Sequence, residues 1–277
     1  MTRQDGRKAE LALRRQIIAT CLEMNASGLN QGTSGNVSAR CGNSLLITPS
    51  GVPYEDLTPK DIAAMPLDRD DGGYLGKLAP SSEWRFHHDI LRARPEVGAI
   101  VHTHSIHATA LAICGAEIPA VHYMIAAAGG PSIRVAPYAT YGTPELSHHA
   151  LAALEGRSAC LLANHGVIAT GPTLKRALWL AGEIETLARQ YILARGFGEP
   201  RLLPDAEIAR VVEKFKSYGP RAKAVPKRAA QKKAAKRPTQ KTPAQKTPAA
   251  KAPAKKAAGK ASARKSGPAP RRGGRQR

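Results

Sequence analysis

Apolar positions in this chain follow two rhythms. Short runs bounded by glycine, proline or amides read as strands, and longer stripes at three-and-four spacing read as helices. Leu11 to Met24 is the first stripe, with Leu11, Ile18 and Leu22 at helical spacing, Arg14 and Arg15 set apart, and Gly28 able to close the helix in a left-handed conformation. Asn36–Arg40 and Leu45–Thr48 read as strands joined by Cys41-Gly42-Asn43, and Asp61–Met65 as a third. Pro80 to about Arg94 reads as a helix, with Ser81 and Ser82 as caps and His87 and His88 as packing or surface residues. Ala99-Ile100-Val101 is a buried-strand run that feeds into His102-Thr103-His104. His107–Cys114 is a short helix, Ile133–Ala136 a strand, and Thr143-Pro144-Glu145 the start of a helix that ends at Gly156. Cys160–Ala163 and Val167–Ala169 are strands on either side of Asn164-His165-Gly166, and helices follow over Pro172–Ala194 and Asp205–Lys216. Strands and helices interleaved in this way predict one α/β domain over residues 1–219.

Beyond residue 219 the pattern stops. Of the 42 Lys and Arg residues, 20 lie in 221–277, which holds no Asp or Glu, so residues 1–220 carry 22 basic against 21 acidic groups. The net charge of +21 therefore belongs almost entirely to the tail. Val225 is its only large apolar residue, and KTPAQ-KTPAA-KAPAK from Lys241 to Lys255 is a degenerate proline-bearing repeat. Such a segment cannot bury enough surface to offset chain entropy, and 220–277 is expected to be disordered. As a solvated polycation it needs no dedicated partner. As a ligand it would bind nucleic acid without sequence preference, since it has no aromatic residue for stacking.

Cys21, Cys41, Cys114 and Cys160 form no CxxC pair and read as small buried apolar residues. No signal peptide opens the sequence, and no apolar run approaches the roughly 18 residues of a membrane span. A cytoplasmic protein with free thiols and no membrane contact is expected.

The candidate chemistry sits at strand ends. On a strand, His102 and His104 point to the same face, and neutral imidazole is a common zinc ligand. His165 arrives at a second strand end, beside a glycine that permits close approach, and Glu83 opens a helix. Three histidines and a carboxylate would fill a tetrahedral shell, and the lack of a nearby cysteine favours a catalytic over a structural site. Gly28-Leu-Asn-Gln-Gly-Thr-Ser-Gly-Asn-Val-Ser38 can present backbone and side-chain donors to an anion, although as a motif it matches neither common phosphate loop.

Eight segments in order resemble the class II aldolase/adducin family, and within it the L-fuculose-1-phosphate aldolases. They are GLNQGTSGNVS (28–38), LITPSGVPYE (46–55), PSSEWRFH (80–87), VHTHSIH (101–107), HYMIAAAGG (122–130), YATYGTPELS (138–147), NHG (164–166) and EKFKSYG (213–219). The resemblance implies a single domain with a central, mainly antiparallel sheet flanked by helices. It implies one zinc ion per subunit on His102, His104 and His165, with Glu83 as acid/base and resting-state ligand. It implies a substrate phosphate held by Thr33, Asn36, Ser50, Gly51, Ser81 and Ser82. Tyr123 would come from the adjacent subunit of a homotetramer, and Tyr218 from a mobile C-terminal stretch. The implied reaction cleaves a ketose 1-phosphate between C3 and C4, giving dihydroxyacetone phosphate and a short aldehyde such as L-lactaldehyde. A dry site would raise the pKa of Glu83 towards neutrality. Tyr141 departs from the phenylalanine of the fuculose enzymes near the aldehyde-binding end. That departure keeps a 5-deoxypentulose or 5-methylthioribulose 1-phosphate open as substrate. Further alternatives are a pentulose 5-phosphate 4-epimerase and a non-enzymatic adducin-like scaffold with a nucleic-acid-binding tail.

Overall fold

The computed structural model describes residues 3–215. The tail at 220–277, the domain limit at 219, the helix end at Lys216 and Tyr218 all lie outside them. Within them the strands are β1 (Asn36–Cys41), β2 (Ser44–Ile47), β3 (Ala63–Pro66), β4 (Ala99–Thr103), β5 (Val135–Ala136), β6 (Ala159–Leu162) and β7 (Gly166–Gly171). They form one sheet in the order β3-β2-β1-β4-β7-β6-β5. All neighbours are antiparallel except β5 and β6. The helices are α1 (Arg3–Ala26), α2 (Trp84–Ala93), α3 (Ile106–Ile113), α4 (Pro144–Ala153), α5 (Leu174–Arg195) and α6 (Asp205–Phe215). This is the expected α/β architecture, a mainly antiparallel sheet between two helical layers.

Period-two alternation along the central strands separates the layers. Val37 and Ala39 of β1, Ala99 and Val101 of β4, and Val167 and Ala169 of β7 join Ile17 and Met24 of α1, Leu111 of α3 and Ile184 of α5 in one core. Ile100 and Ile168 point the other way, to Phe86, Ile90 and Leu91 of α2 and Leu146 and Ala150 of α4. Both faces are buried, so the central strands read as nearly continuous apolar runs. Burying each large side chain contributes roughly 1.5–3 kcal/mol relative to exposure.

Several local expectations differ from the structure. Leu11 and Leu22 are 41% and 43% exposed, and the buried stripe of α1 is Ile17, Cys21 and Met24. Cysteine and methionine supply that stripe, and both stripes satisfy helical spacing. Helix α2 begins at Trp84, not Pro80, and His87 and His88 on it are fully or almost fully buried. Ile133 does not extend β5; it makes a separate antiparallel bridge to Ile118. Cys21 and Cys160 are buried as expected, but Cys41 at the end of β1 is only partly buried and Cys114 is exposed at the end of α3. Among the described residues, no helix is long and apolar enough to cross a membrane.

Two contacts carry this frame to the histidines. A Cβ at Gly35 would lie 2.6 Å from the His102 carbonyl oxygen, so only glycine lets the 28–35 loop lie against β4. The start of α3, just after His104, is held by Glu185 of α5. Its carboxylate accepts hydrogen bonds from the backbone N–H of His107 (2.9 Å) and of Ala108 (3.0 Å). Its Oε1 also lies 2.6 Å from His107 Nδ1. Burial alone would raise the pKa of Glu185, but these hydrogen bonds outweigh it and hold the carboxyl below its ordinary range. A lowered folded-state pKa stabilises the fold above the unfolded carboxylate range and loses that contribution as pH falls through the folded value. Glu185→Gln should therefore cost about 1.5–3 kcal/mol at neutral pH. Thermal melts should show the gap to the parent protein narrowing on acidification.

Candidate active site

His102 is the last but one residue of β4, paired with Asn36 across β1 and with Ile168 across β7. Its Nδ1 lies 2.9 Å from the Val167 carbonyl oxygen. A carbonyl only accepts, so Nδ1 carries the proton and Nε2 keeps its lone pair for a ligand. The Phe86 ring packs edge-on against this imidazole with centroids 5.3 Å apart. His104 follows the strand, its backbone N–H directed at Asn30 Oδ1 (3.3 Å). His165 sits in the β6–β7 turn, where Asn164 has φ 54°, the one left-handed non-glycine residue among those described. A Cβ at Gly166 would lie 2.6 Å from the Thr103 carbonyl oxygen and 2.9 Å from His104 Cδ2, so the turn closes only with glycine there. Glu83 occupies the cap position of α2 but makes no side-chain cap hydrogen bond. Its carboxylate turns to the histidines instead.

The three imidazoles converge, with ring centroids 4.8 to 4.9 Å apart. His102 Nε2 and His104 Nε2 are 3.0 Å apart. Glu83 Oε2 is 3.2 Å from His102 Nε2, and Oε1 is 3.0 Å from His165 Nε2. One donor atom from each residue falls within 4.8 Å of all the others. A tetrahedral ion with bonds of about 2.0–2.1 Å needs ligand atoms about 3.3 Å apart. The His102–His104, His102–Glu83 and His165–Glu83 pairs, at 3.0–3.2 Å, come near that spacing.

Two further features call for a cation. Two imidazole Nε2 atoms 3.0 Å apart must share either a proton or a cation, and a metal would take the place of that proton. Glu83 Oε1 is buried without a hydrogen-bond partner, with His165 Nε2 3.0 Å away. The electrostatics agree in sign. Burial pushes the Glu83 pKa up, but its electrostatic interactions with His102 and His165 outweigh it and hold the carboxyl well below its usual range. The expected rise towards neutrality is therefore reversed, because desolvation is not the net winner here. Burial, then charge on His102 and His165, pushes His104 down to about 3.

The phosphate candidates divide. Ser82 donates its backbone N–H to Ser50 Oγ (2.8 Å), and the two hydroxyls lie 3.3 Å apart. Ser81 donates its N–H to the Thr48 carbonyl, and its Oγ accepts from the Glu83 N–H (3.2 Å). The serines are thus fixed beside Glu83, with Gly51 left-handed at φ 70° in the same turn. Thr33 is exposed on its loop and makes no hydrogen bond to this group. Asn36 is buried and donates from Nδ2 to Glu83 Oε2 (2.9 Å). Tyr123 is 51% exposed, its ring tilted against His122 with centroids 4.7 Å apart, and it lines a different pocket, with Met124 and Phe215.

A cleft of about 270 Å³ opens over the cluster, lined by Ser82, Glu83, His104, His165, Asn164, Tyr138 and Tyr141. Sequence reasoning missed Tyr138, which no spacing ties to the histidines. It also passed over His87, although a residue four positions after Glu83 shares its helix face.

The chain matches the family model described as Class II Aldolase and Adducin N-terminal domain over residues 15–192. It is 55% identical over 215 residues to the 5-methylthioribulose-1-phosphate/5-deoxyribulose-1-phosphate aldolase of Rhodospirillum rubrum, covering 78% of this chain and 96% of that one. It is 54% identical over 210 residues to the L-fuculose phosphate aldolase of Escherichia coli strain K12, covering 76% and 96%. A solved L-fuculose 1-phosphate aldolase superposes with a TM-score of 0.71 at 41% identity, over 74% of this chain and 96% of that one. The chain belongs to the class II aldolase/adducin family. Within it, the chain is an enzyme of the class II, metal-dependent aldolase type rather than a non-catalytic scaffold.

The β6–β7 turn gives a direct test of this geometry. Asn164→Gly tolerates the left-handed backbone and should retain metal affinity, whereas β-branched Asn164→Val should lose about tenfold or more. Competition with a fluorescent chelator measures both.

Proposed function

We propose that this chain is a zinc-dependent aldolase that cleaves a ketose 1-phosphate to dihydroxyacetone phosphate and a short aldehyde. L-Fuculose 1-phosphate is the first candidate substrate, with L-lactaldehyde as its aldehyde product. The observation that carries the reading is the convergence of His102, His104, His165 and Glu83 beneath a cleft lined by Ser82, whose hydroxyl lies 3.3 Å from that of Ser50. Nitrogen and carboxylate donors at tetrahedral spacing suit zinc, one ion per subunit. A zinc ion held there would supply Lewis-acid stabilisation for the negative charge that develops as the C3–C4 bond breaks.

The other steps belong to the chain. Ser50, Gly51, Ser81, Ser82, Thr33 and Asn36 grip the phosphate and position the substrate without reacting. Glu83 returns a proton to C3 once the bond has broken and removes it in the reverse direction. Tyr123, half exposed and lining a different pocket, serves the C4 oxygen in a neighbouring subunit. A homotetramer with sites between subunits supplies that arrangement, and Tyr218 completes the enclosure. The cleft of one subunit is below the roughly 300–1,000 Å³ usual for small-molecule sites, as expected if a neighbour adds a wall. The four free cysteines suit a reducing, cytoplasmic setting.

A second reading has equal support from identity: cleavage of 5-methylthioribulose or 5-deoxyribulose 1-phosphate, the substrates named for the Rhodospirillum relative. The phosphate and metal groups would serve both. The difference falls at the aldehyde end, where Tyr138 and Tyr141 line the cleft.

Purified protein assayed on each of these phosphates should release dihydroxyacetone phosphate, lose that activity in chelator and regain it with zinc. His165→Ala should abolish both zinc retention and turnover. Full activity in metal-stripped protein contradicts the reading, and pentulose 5-phosphate interconversion without triose release would favour the epimerase. Tyr141→Phe removes a hydroxyl worth about 0.5–1.5 kcal/mol. Because phenylalanine is the residue of the fuculose enzymes here, the variant should leave kcat/KM for L-fuculose 1-phosphate unchanged or raised relative to that for 5-deoxyribulose 1-phosphate.

A further inference from the structure

A buried polar chain runs away from the cleft behind Glu83. Asn36 Nδ2 donates to Glu83 Oε2 at 2.9 Å. Asn36 Oδ1 lies 2.5 Å from His87 Nε2, and His87 Nδ1 lies 2.7 Å from Ser38 Oγ. Ser38 and His87 are fully buried, Asn36 is 4% exposed and Glu83 6%. The fold assembles this line from two periodicities. Asn36 and Ser38 are two apart on β1 and share its α2-facing side, while Glu83 and His87 are four apart along α2.

The chemistry fixes the direction of each bond. The ionised carboxylate only accepts, so the amide NH₂ of Asn36 must face it. The amide oxygen then faces His87, which must donate from Nε2. A neutral imidazole with its proton on Nε2 has a lone pair on Nδ1, which accepts the Ser38 hydroxyl proton.

We propose that Ser38, His87 and Asn36 are positioning residues that fix the orientation of the Glu83 carboxylate. Oε2 is pinned through Asn36, which leaves Oε1, the orphaned oxygen, for the metal and the reacting proton. The amide NH₂ of Asn36 has a second N–H, so holding Glu83 does not remove Asn36 from the phosphate-binding group. The inference rests on the reading of Glu83 as acid/base.

The test uses the full chain loaded with zinc. His87→Phe keeps a flat ring stacked on Phe86 but removes both hydrogen bonds. At saturating zinc it should lower kcat by about 10–100-fold, the range seen when such supporting partners are lost, with KM for the ketose phosphate within about threefold. His87→Gln, whose amide can still donate to Asn36, should recover most of that loss. Ser38→Ala, a milder change that covers the case of a His87 variant failing to fold, should lower kcat several-fold. Nitrogen-15 histidine spectra should show one buried imidazole as the Nε2–H tautomer, its signal absent from His87→Gln. A normal kcat in zinc-loaded His87→Phe or Ser38→Ala overturns the proposal, as does an Nδ1–H tautomer at His87. Glu83→Gln separates the two readings. If it remains active, the acid/base reading itself fails; if it is inactive while His87→Phe is normal, only the positioning chain fails.

Discussion

A carboxylate enclosed by three imidazoles with little water is the constraint on which the rest of the site depends. Desolvation opposes the charge on Glu83, and its interactions with His102 and His165, both within 3.2 Å, outweigh that penalty. The imidazoles are subject to the same burial, which keeps His104 neutral and its lone pair available. Neither half is comfortable alone. Together they form a set of donors whose natural partner is a divalent cation, and the orphaned Oε1 marks where it belongs.

The sheet exists at this point to hold those donors still. β4 lies between β1 and β7, so His102 is braced from both sides, by register with Asn36 and by a bond to the Val167 carbonyl. Gly35 and Gly166 let two loops approach β4 more closely than any side chain would allow. Asn164 turns the chain so that His165 meets the other two. Glu185, from the opposite layer, secures the helix that follows His104. The cluster is rigid because its supports come from elements distant in sequence.

Much of the fold was legible in the chain. Nearly continuous apolar runs marked the central strands, and Thr143-Pro144 and the Asn164–Gly166 turn were punctuated clearly. Helix α1 misled, because its buried stripe uses Cys21 and Met24 while Leu11 and Leu22 face out. At the site, His102 and His104 were visible from two-residue spacing on a strand. His165 and Glu83 were candidates by residue type at a strand end and a helix start, and only the resemblance tied them to one site, since nothing local encodes a contact between residues 82 positions apart. His87 was passed over because a histidine on a helix is unremarkable until the strand opposite is known. Glu83's electrostatics were misjudged for a similar reason: burial was anticipated, whereas the interactions that outweigh it depend on three-dimensional neighbours.

X-ray absorption at the zinc edge of the reconstituted full-length protein tests the central claim most directly. A first shell of nitrogen and oxygen at about 2.0–2.1 Å with imidazole outer-shell scattering, absent sulfur, and lost in His102→Ala is the predicted result. Sulfur at about 2.3 Å, or an unchanged shell in His102→Ala, would contradict it.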